Sequence, residues 1–336
     1  MKTMHLNAFG RDNLVLVDAP EPAKPAAGEV LIKCAAASLN PRDSQIIEGR
    51  FSPNVEFPLI PLSDGAGEVL AIGEGVTRVA PGDLVTSLFF PNWISGEALD
   101  NERAVSSGLE APGVLRELAL YPEDALVKAA DHLTAAEAAC FPCAGLTAWT
   151  SLVDKSGIGA GDHVLIQGTG GVATAALQLT KALGARAIVI SSSDARLERA
   201  TALGADHVIN YSTEPNWGPV AHELSAHGVD AVIEIGGTGT MENSLAAIRH
   251  GGHINIIGYM AGVDMGITVF PLIIKNANLH GIGTGNRDSF EAMMQLVGDT
   301  GLRPVIERAY PMEQIVQALD DLDAGGFVGK LVLDLS

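Results

Sequence analysis

The sequence predicts an α/β protein of two domains, a small irregular β-barrel followed by a parallel sheet with helices on both faces. Three observations lead there. The chain has 336 residues, too long for one small core and long enough for two apolar interiors. Up to about residue 130 it reads as short alternating apolar segments broken by Pro and Gly. From about residue 133 helix-like and strand-like runs take over and alternate.

In chain order, "EVLIKCAAASL", "GAGEVLAIG", "GDLVTSLFF" and "LRELALYPEDALVKA" are the barrel segments. The period then turns helical in "TAAEAACFPCAGLTAWTSLVDKSG", opened by Thr134 as N-cap with Glu137 three residues on as its capping-box partner. "HVLIQG", "AIVISSS", "HVINY", "VDAVIEIGG" and "GHINIIGY" are short β-branched strands. The amphipathic runs "GVATAALQLTKALG", "ARLERATALG" and "MENSLAAIRHG" lie between them, as a sheet covered on both faces requires. Beyond Met260, "VFPLIIKNANLHGIGTG" is expected to add a strand, "DSFEAMMQLVGDTG" a helix, and "GKLVLDL" a last strand that returns to the first domain. The expected division is 1–128 for the barrel, 129–268 for the parallel sheet, and 269–336 for an edge strand followed by the return.

Between the first strand and helix of the second domain, Gly168, Gly170 and Ala173 stand in G-x-G-x-x-A spacing, with Gly171 and Val172 opening the helix. Glycines there allow a tight turn and let backbone N–H groups approach a pyrophosphate at the positive helix end. A tight turn without a ligand is the plain alternative. Which dinucleotide binds depends on the end of the next strand, which carries Ser191 and Ser192 where an NAD site carries an acid. Hydroxyls donate to a 2′-phosphate, and Arg196 stands close by as a bidentate partner, so NADPH is favoured over NADH. In the competing reading Asp194 is the ribose acid and Arg196 a solvated charge at a helix start. Gly236, after "VDAVIEI", joins the candidate cofactor residues.

Taken in order, "GEVLIK", "SLNPRD", "PLSDGAGEVLAIGEGVTRVAPGDLV", "CAGLTAW", "QGTGGVATAALQLTKALGA", "LGADHVINY" and "GKLVL" resemble the medium-chain dehydrogenase/reductase superfamily over essentially the whole chain. The resemblance is to its zinc-independent quinone oxidoreductases and related alcohol-dehydrogenase-like members. It implies a GroES-like β-barrel domain, a doubly wound Rossmann domain and an active site in the cleft between them. It also implies that Arg196 and Tyr211 contact the 2′-phosphate. In the resembling family the edge strand pairs with its copy, which implies a homodimer.

The zinc members of that superfamily take a Cys, a His and a Cys as catalytic ligands, where this chain has Asn40, Ser63 and Cys143. A catalytic zinc needs three good ligands, and the four-cysteine lobe of a structural zinc has no counterpart between Cys34 and Cys140, so no zinc is expected. Asp64 in "IPLSDGAGEV" matches an acid that stands near the metal rather than on it. A lone buried carboxylate is costly, so Asp64 is read as a positioning group held by glycine-turn amides or by a cation such as Arg42, with a catalytic role as the alternative. Asp43 of "NPRD" is read as orienting its neighbours, and Cys143 as a small apolar residue rather than a nucleophile. Trp93 of "FFPNWISG" is either a wall of the substrate cleft or core.

These residues lead to hydride transfer from NADPH to a small apolar enone or quinone, with Asn40, Arg42 and Ser63 as contacts for the substrate oxygen. An evident proton donor is missing, since Gln45 and Phe51 stand where some quinone oxidoreductases carry tyrosines. Two other functions stay open: an alcohol dehydrogenase or ketone reductase, which needs an acid/base, and a dinucleotide-binding protein without turnover. A formal charge of -19 disfavours nucleic acid and anionic membrane as partners, which leaves a small-molecule substrate. An N-terminus without an apolar signal core, together with three scattered cysteines, leads to the expectation of a cytoplasmic protein.

Overall fold

The computed structural model describes residues 1–264 and 266–336. They form two compact units: Met1–Leu146, Gly285–Gly326 and Lys330–Ser336 in the first, Thr147–Thr284 and Phe327–Gly329 in the second. The strands are β1 (Lys2–Leu6), β2 (Leu14–Asp18), β3 (Glu29–Ser38), β4 (Asp64–Ile72), β5 (Leu84–Ser87), β6 (Leu118–Pro122) and β7 (Leu126–Lys128). They continue with β8 (His163–Gln167), β9 (Arg186–Ser191), β10 (His207–Asn210), β11 (Val229–Glu234), β12 (Ile248–Ile256), β13 (Asn278–Gly281), β14 (Ile306–Pro311) and β15 (Lys330–Asp334).

The first unit is a mixed sheet in the order β14-β15-β3-β4-β5-β7, with β6 also paired to β3 and β1-β2 as a separate hairpin. β3 is its spine: Val30, Ile32 and Cys34 are buried while Lys33 between them is exposed, the period of two that a half-buried strand requires. Register shifts near Leu31 and Cys34 bend it, as bulges do. The glycine of "GAGEV" has a steric reason, since a Cβ on Gly67 would lie 2.1 Å from the Lys33 carbonyl oxygen. That close approach fixes β4 on β3 and brings Asp64 opposite Ser38. β15 pairs with β3 on its other flank, so Lys330 enters the same neighbourhood. The capping box of Thr134 and Glu137 is formed, with the Thr134 N–H donating to Glu137 Oε2 at 2.8 Å.

The second unit is a parallel sheet in the order β10-β9-β8-β11-β12-β13. The chain starts in the middle, winds outward to β10, and then winds the other way from β11, a doubly wound topology whose reversal lies between β8 and β11. Leu165, Ile188, Val232 and Ile254 pack against Trp217, Met241 and Leu245 from the covering helices. Two elements differ from expectation. The strand expected within "VFPLIIKNANLHGIGTG" is present as Asn278–Gly281, but "VFPLIIK" before it is an unexpected helix, Val269–Lys275: Pro271 has no ladder N–H to give but is tolerated in a first helical turn. The helix of "MENSLAAIRHG" ends at Ala247, and β12 already begins at Ile248. Among the described residues no helix is long and apolar enough to cross a membrane.

Candidate active site

In the first unit, "NPRD" builds a helix start. Asn40 is the N-cap of the helix Pro41–Ile47, Pro41 takes the first position where no N–H is needed, and Asp43 Oδ2 accepts the Asn40 N–H at 2.8 Å. Asp43 therefore orients Asn40. Asp64, at the start of β4, is fully buried: Ser63 Oγ donates to Oδ1 at 2.8 Å and the Cys143 N–H to Oδ2 at 3.0 Å. That N–H is available because Phe141–Gly145 form a widened helical turn of the π type. The cation facing Asp64 is Lys330, not Arg42: the buried Lys330 Nζ donates to the Leu39 carbonyl at 2.5 Å and to Asn40 Oδ1 at 2.6 Å.

The electrostatics follow from burial. Desolvation raises Asp64 above the usual carboxylate range, opposed by Lys330 and by the hydrogen bonds. Asp43 is pushed up to about 6, by burial first, with Arg42 opposing and Asp64 adding. Burial also pushes the Cys143 thiol up to about 12, so it is no ready nucleophile. Two buried donors of the cluster, Asn40 Nδ2 and Arg42 Nε, have no hydrogen-bond partner. Ser63 and Asp64 have no exposed surface and are engaged with each other and with the Cys143 N–H, so their part is to hold rather than to touch.

Phe89, Phe90 and Trp93 form an aromatic cluster against which Cys143 and Ala98 pack. Trp93 is thus both well buried and a wall beside the polar cluster. The Arg42 guanidinium lies 4.4 Å from the centre of the Phe89 ring and is tied to Ser107 O and Ser106 Oγ at 3.0 and 2.8 Å.

In the second unit, Gly168 has φ +81, a left-handed conformation that favours glycine, in the turn after β8. Gly170 is the N-cap of the helix Gly171–Ala182, whose first turn carries Val172. A Cβ on Gly168 or Gly170 would meet nothing within 4 Å, so the space over the turn is open and a pyrophosphate fits it. At the end of β9, Ser192 Oγ accepts from Arg196 Nη2 at 2.8 Å, and among the described residues no carboxylate lies within ion-pair distance of Arg196. Ser191 is buried; Tyr211, just past β10, is half-exposed and donates its N–H to the Ser191 carbonyl. Asp194, the competing ribose acid, is engaged by Asn210 Nδ2 at 2.6 Å. Gly236 donates its N–H to Gln167 Oε1 at 2.9 Å, and a Cβ there would sit 2.5 Å from Thr240 Cγ2.

Reasoning from the sequence missed Lys330, Gln167 and Glu234. Lys330 leads the buried strand "KLVLD", and a lysine opening a buried run was the available signal. Glu234 is fully buried, accepts from Gln167 Nε2 at 2.6 Å, and ties Gly236 and Gly237 into the turn after β11. The histidines stay outside the site: His253 and His280 stack on each other, with Nδ1 to Nε2 at 3.0 Å, and His227 lies past the end of the helix Trp217–Leu224. A groove of about 650 Å³ lined by Lys128, His132 and Met294 is separate, and its cations Arg78 and Lys128 are already paired with Glu291 and Asp83.

For a metal, the donor set is poor. Asn40 Oδ1 faces an ammonium, Ser63 Oγ is committed to Asp64, and Cys143 is a thiol raised far from its thiolate. Among the described residues no three His, Cys, Asp or Glu side chains are grouped to hold an ion.

A GroES-like fold beside a doubly wound sheet with an open glycine turn defines a dinucleotide-dependent oxidoreductase. Residues 26–131 match the alcohol dehydrogenase GroES-like domain family, and residues 171–299 match the zinc-binding dehydrogenase family. A zinc-type alcohol dehydrogenase-like protein of Schizosaccharomyces pombe is 36% identical, covering 99% of this chain and 98% of its own. An acryloyl-coenzyme A reductase of Metallosphaera sedula is 31% identical over 92% of this chain and 93% of its own. The solved structure of a putative alcohol dehydrogenase from Sinorhizobium meliloti superposes with a TM-score of 0.93 at 39% identity, covering 99% of this chain and 98% of that one. The chain belongs to the medium-chain dehydrogenase/reductase superfamily, whose members are oxidoreductases that use nicotinamide cofactors.

Proposed function

We propose that the protein is an NADPH-dependent reductase of small apolar enones or quinones that works without zinc. The observation that carries this reading is the pair of buried donors without a short hydrogen bond, Asn40 Nδ2 and Arg42 Nε, beside a cluster in which Lys330 holds Asn40 Oδ1 and Ser63 holds Asp64. Lys330 holds Asn40 Oδ1 and so fixes the amide, whose Nδ2 lies on the Asp64 side of the cluster. Such donors stabilise the delocalised anion formed when a hydride adds to the β-carbon of an enone. The proton that then saturates the α-carbon comes from water, and no protein acid is needed. A ketone differs, because its alkoxide product is strongly basic and needs an acid as it forms. When bound, the reduced nicotinamide supplies the hydride.

Gly168, Gly170, Gly171 and Val172 would hold the pyrophosphate; Ser191, Ser192, Arg196 and Tyr211 would hold the 2′-phosphate. The acryloyl-coenzyme A reductase among the relatives acts on a conjugated double bond, which supports the choice of an enone. Alcohol oxidation or ketone reduction is the second reading, favoured by the alcohol-dehydrogenase relatives.

Initial rates with NADPH on a cyclic enone and on its saturated ketone, with zinc content measured in the same preparation, test the proposal. We expect turnover of the enone, little of the ketone, and zinc far below one per chain. Equal rates would support the second reading; silence with every acceptor would leave a binding protein without turnover. We further place a homodimer contact at β13, an edge strand paired only with β12. Val269, Phe270, Ile273 and Ile274 expose 53–70% of their surface on the helix just before it. Light scattering showing a monomer at micromolar concentration would reject that contact.

A further inference from the structure

The aromatic cluster carries a second arginine that the mechanism above does not use. Arg103 lies at the end of the short helix Asp100–Arg103, with its guanidinium 5.0 Å from the centre of the Phe90 ring and 5.8 Å from that of Trp93. It is exposed and, among the described residues, has neither an ion pair nor a side-chain hydrogen bond, in a chain with nearly twice as many acidic as basic residues. Arg42 lies over the neighbouring Phe89 ring, and it too has no carboxylate within ion-pair distance. The three rings are continuous: Phe89 to Phe90 is 4.8 Å between centres, Phe90 to Trp93 is 6.4 Å. Cys143 joins them to Asp64, since its side chain packs on the rings and its N–H donates to the carboxylate.

The Arg42 guanidinium spends its edge donors on Ser106 and Ser107. Those of Arg103 are uncommitted among the described residues, and the fork of a guanidinium matches a carboxylate in bidentate geometry. Contact with the Phe90 and Trp93 rings restrains that fork, so less freedom is lost when an anion docks.

We propose that the preferred substrate is a planar conjugated carbonyl compound bearing a carboxylate, held by that carboxylate on Arg103 at the rim of the Phe90–Trp93 pair. This rests on the enone reading for the reaction, though not for the binding. The probes are 4-phenylbut-3-en-2-one and the same molecule with a para-carboxylate. Binding of each is measured by titration calorimetry on the full chain, and turnover is measured separately with NADPH. The carboxylate probe is expected to bind about ten-fold more tightly than the neutral one. In Arg103→Gln that ratio falls to near one, and Arg103→Lys restores part of it. Equal affinities in the wild type, or a ratio unchanged in Arg103→Gln, overturn the carboxylate clamp. Turnover of both probes without discrimination would sink the clamp and leave the enone reading. Discrimination in binding with no turnover of either would uphold the clamp and sink the enone reading.

Discussion

The glycine turn of the second unit and the polar cluster of the first are built in opposite ways. The turn is made of backbone: a left-handed glycine, a helix start, and open space where side chains are missing. The cluster is made of side chains that converge from four parts of the chain, Asn40, Ser63 with Asp64, Cys143 and Lys330, and it is closed and buried. In the closed cluster each polar group is needed by another, so function and stability are bound together. In the open turn they separate.

The largest effect is expected at Lys330. Replacing it by methionine keeps the length and removes the ammonium, leaving the Leu39 carbonyl and Asn40 Oδ1 unpaired and Asp64 without its facing cation. Breaking a buried charged contact costs about 3–5 kcal/mol. Urea unfolding of Lys330→Met, Asp64→Asn and the double variant checks this, with a coupling of about 1 kcal/mol or more expected between the two sites. Purely additive costs would show that Lys330 serves only the Asn40 helix start.

A smaller effect is expected at Arg196, and on binding rather than folding. A charge-assisted hydrogen bond contributes about 1.5–3 kcal/mol, so Arg196→Ala weakens NADPH roughly ten- to hundred-fold. NADH affinity should hardly change, and stability should move by less than about 0.5 kcal/mol because the guanidinium makes one side-chain hydrogen bond among the described residues, to Ser192. If NADH weakens equally, the arginine serves the turn and not a 2′-phosphate.

The same contrast explains what could be read from the sequence. The doubly wound sheet and its glycine motif were legible because both are local: a strand, a turn and a helix follow one another within about twenty residues, and the spacing carries the geometry. The barrel was legible as a class through its punctuation. Lys330 was not, since nothing in "GKLVL" says that β15 will lie beside β3, some 290 residues away in the chain. For Asp64 the sequence showed that a partner was required but not which cation would supply it. In "VFPLIIKNANLHGIGTG" the strand was expected and is found at Asn278–Gly281, but the helix before it was not separated from it, because an apolar run of six fits either structure, and Pro271 was the residue that favoured the helix.

The smallest effect on cofactor choice is expected at Gly170, which probes the open turn most directly. Its φ is -73, which any residue can adopt, and an added Cβ would touch nothing within 4 Å. As an N-cap, glycine is already weaker than serine or aspartate, so Gly170→Ala should cost no more than about 1 kcal/mol. Yet that methyl would stand in the space through which backbone N–H groups reach a pyrophosphate, and filling such a close approach costs about 1–3 kcal/mol. An unchanged melting temperature with NADPH and NADH both weakened about ten-fold or more is therefore the expected result. The two cofactors should weaken together, since both carry the pyrophosphate, in contrast to the selective loss in Arg196→Ala. If calorimetry shows neither affinity reduced, the turn is a structural connection with no anion over it, and the contrast between an open backbone turn and a closed side-chain cluster falls.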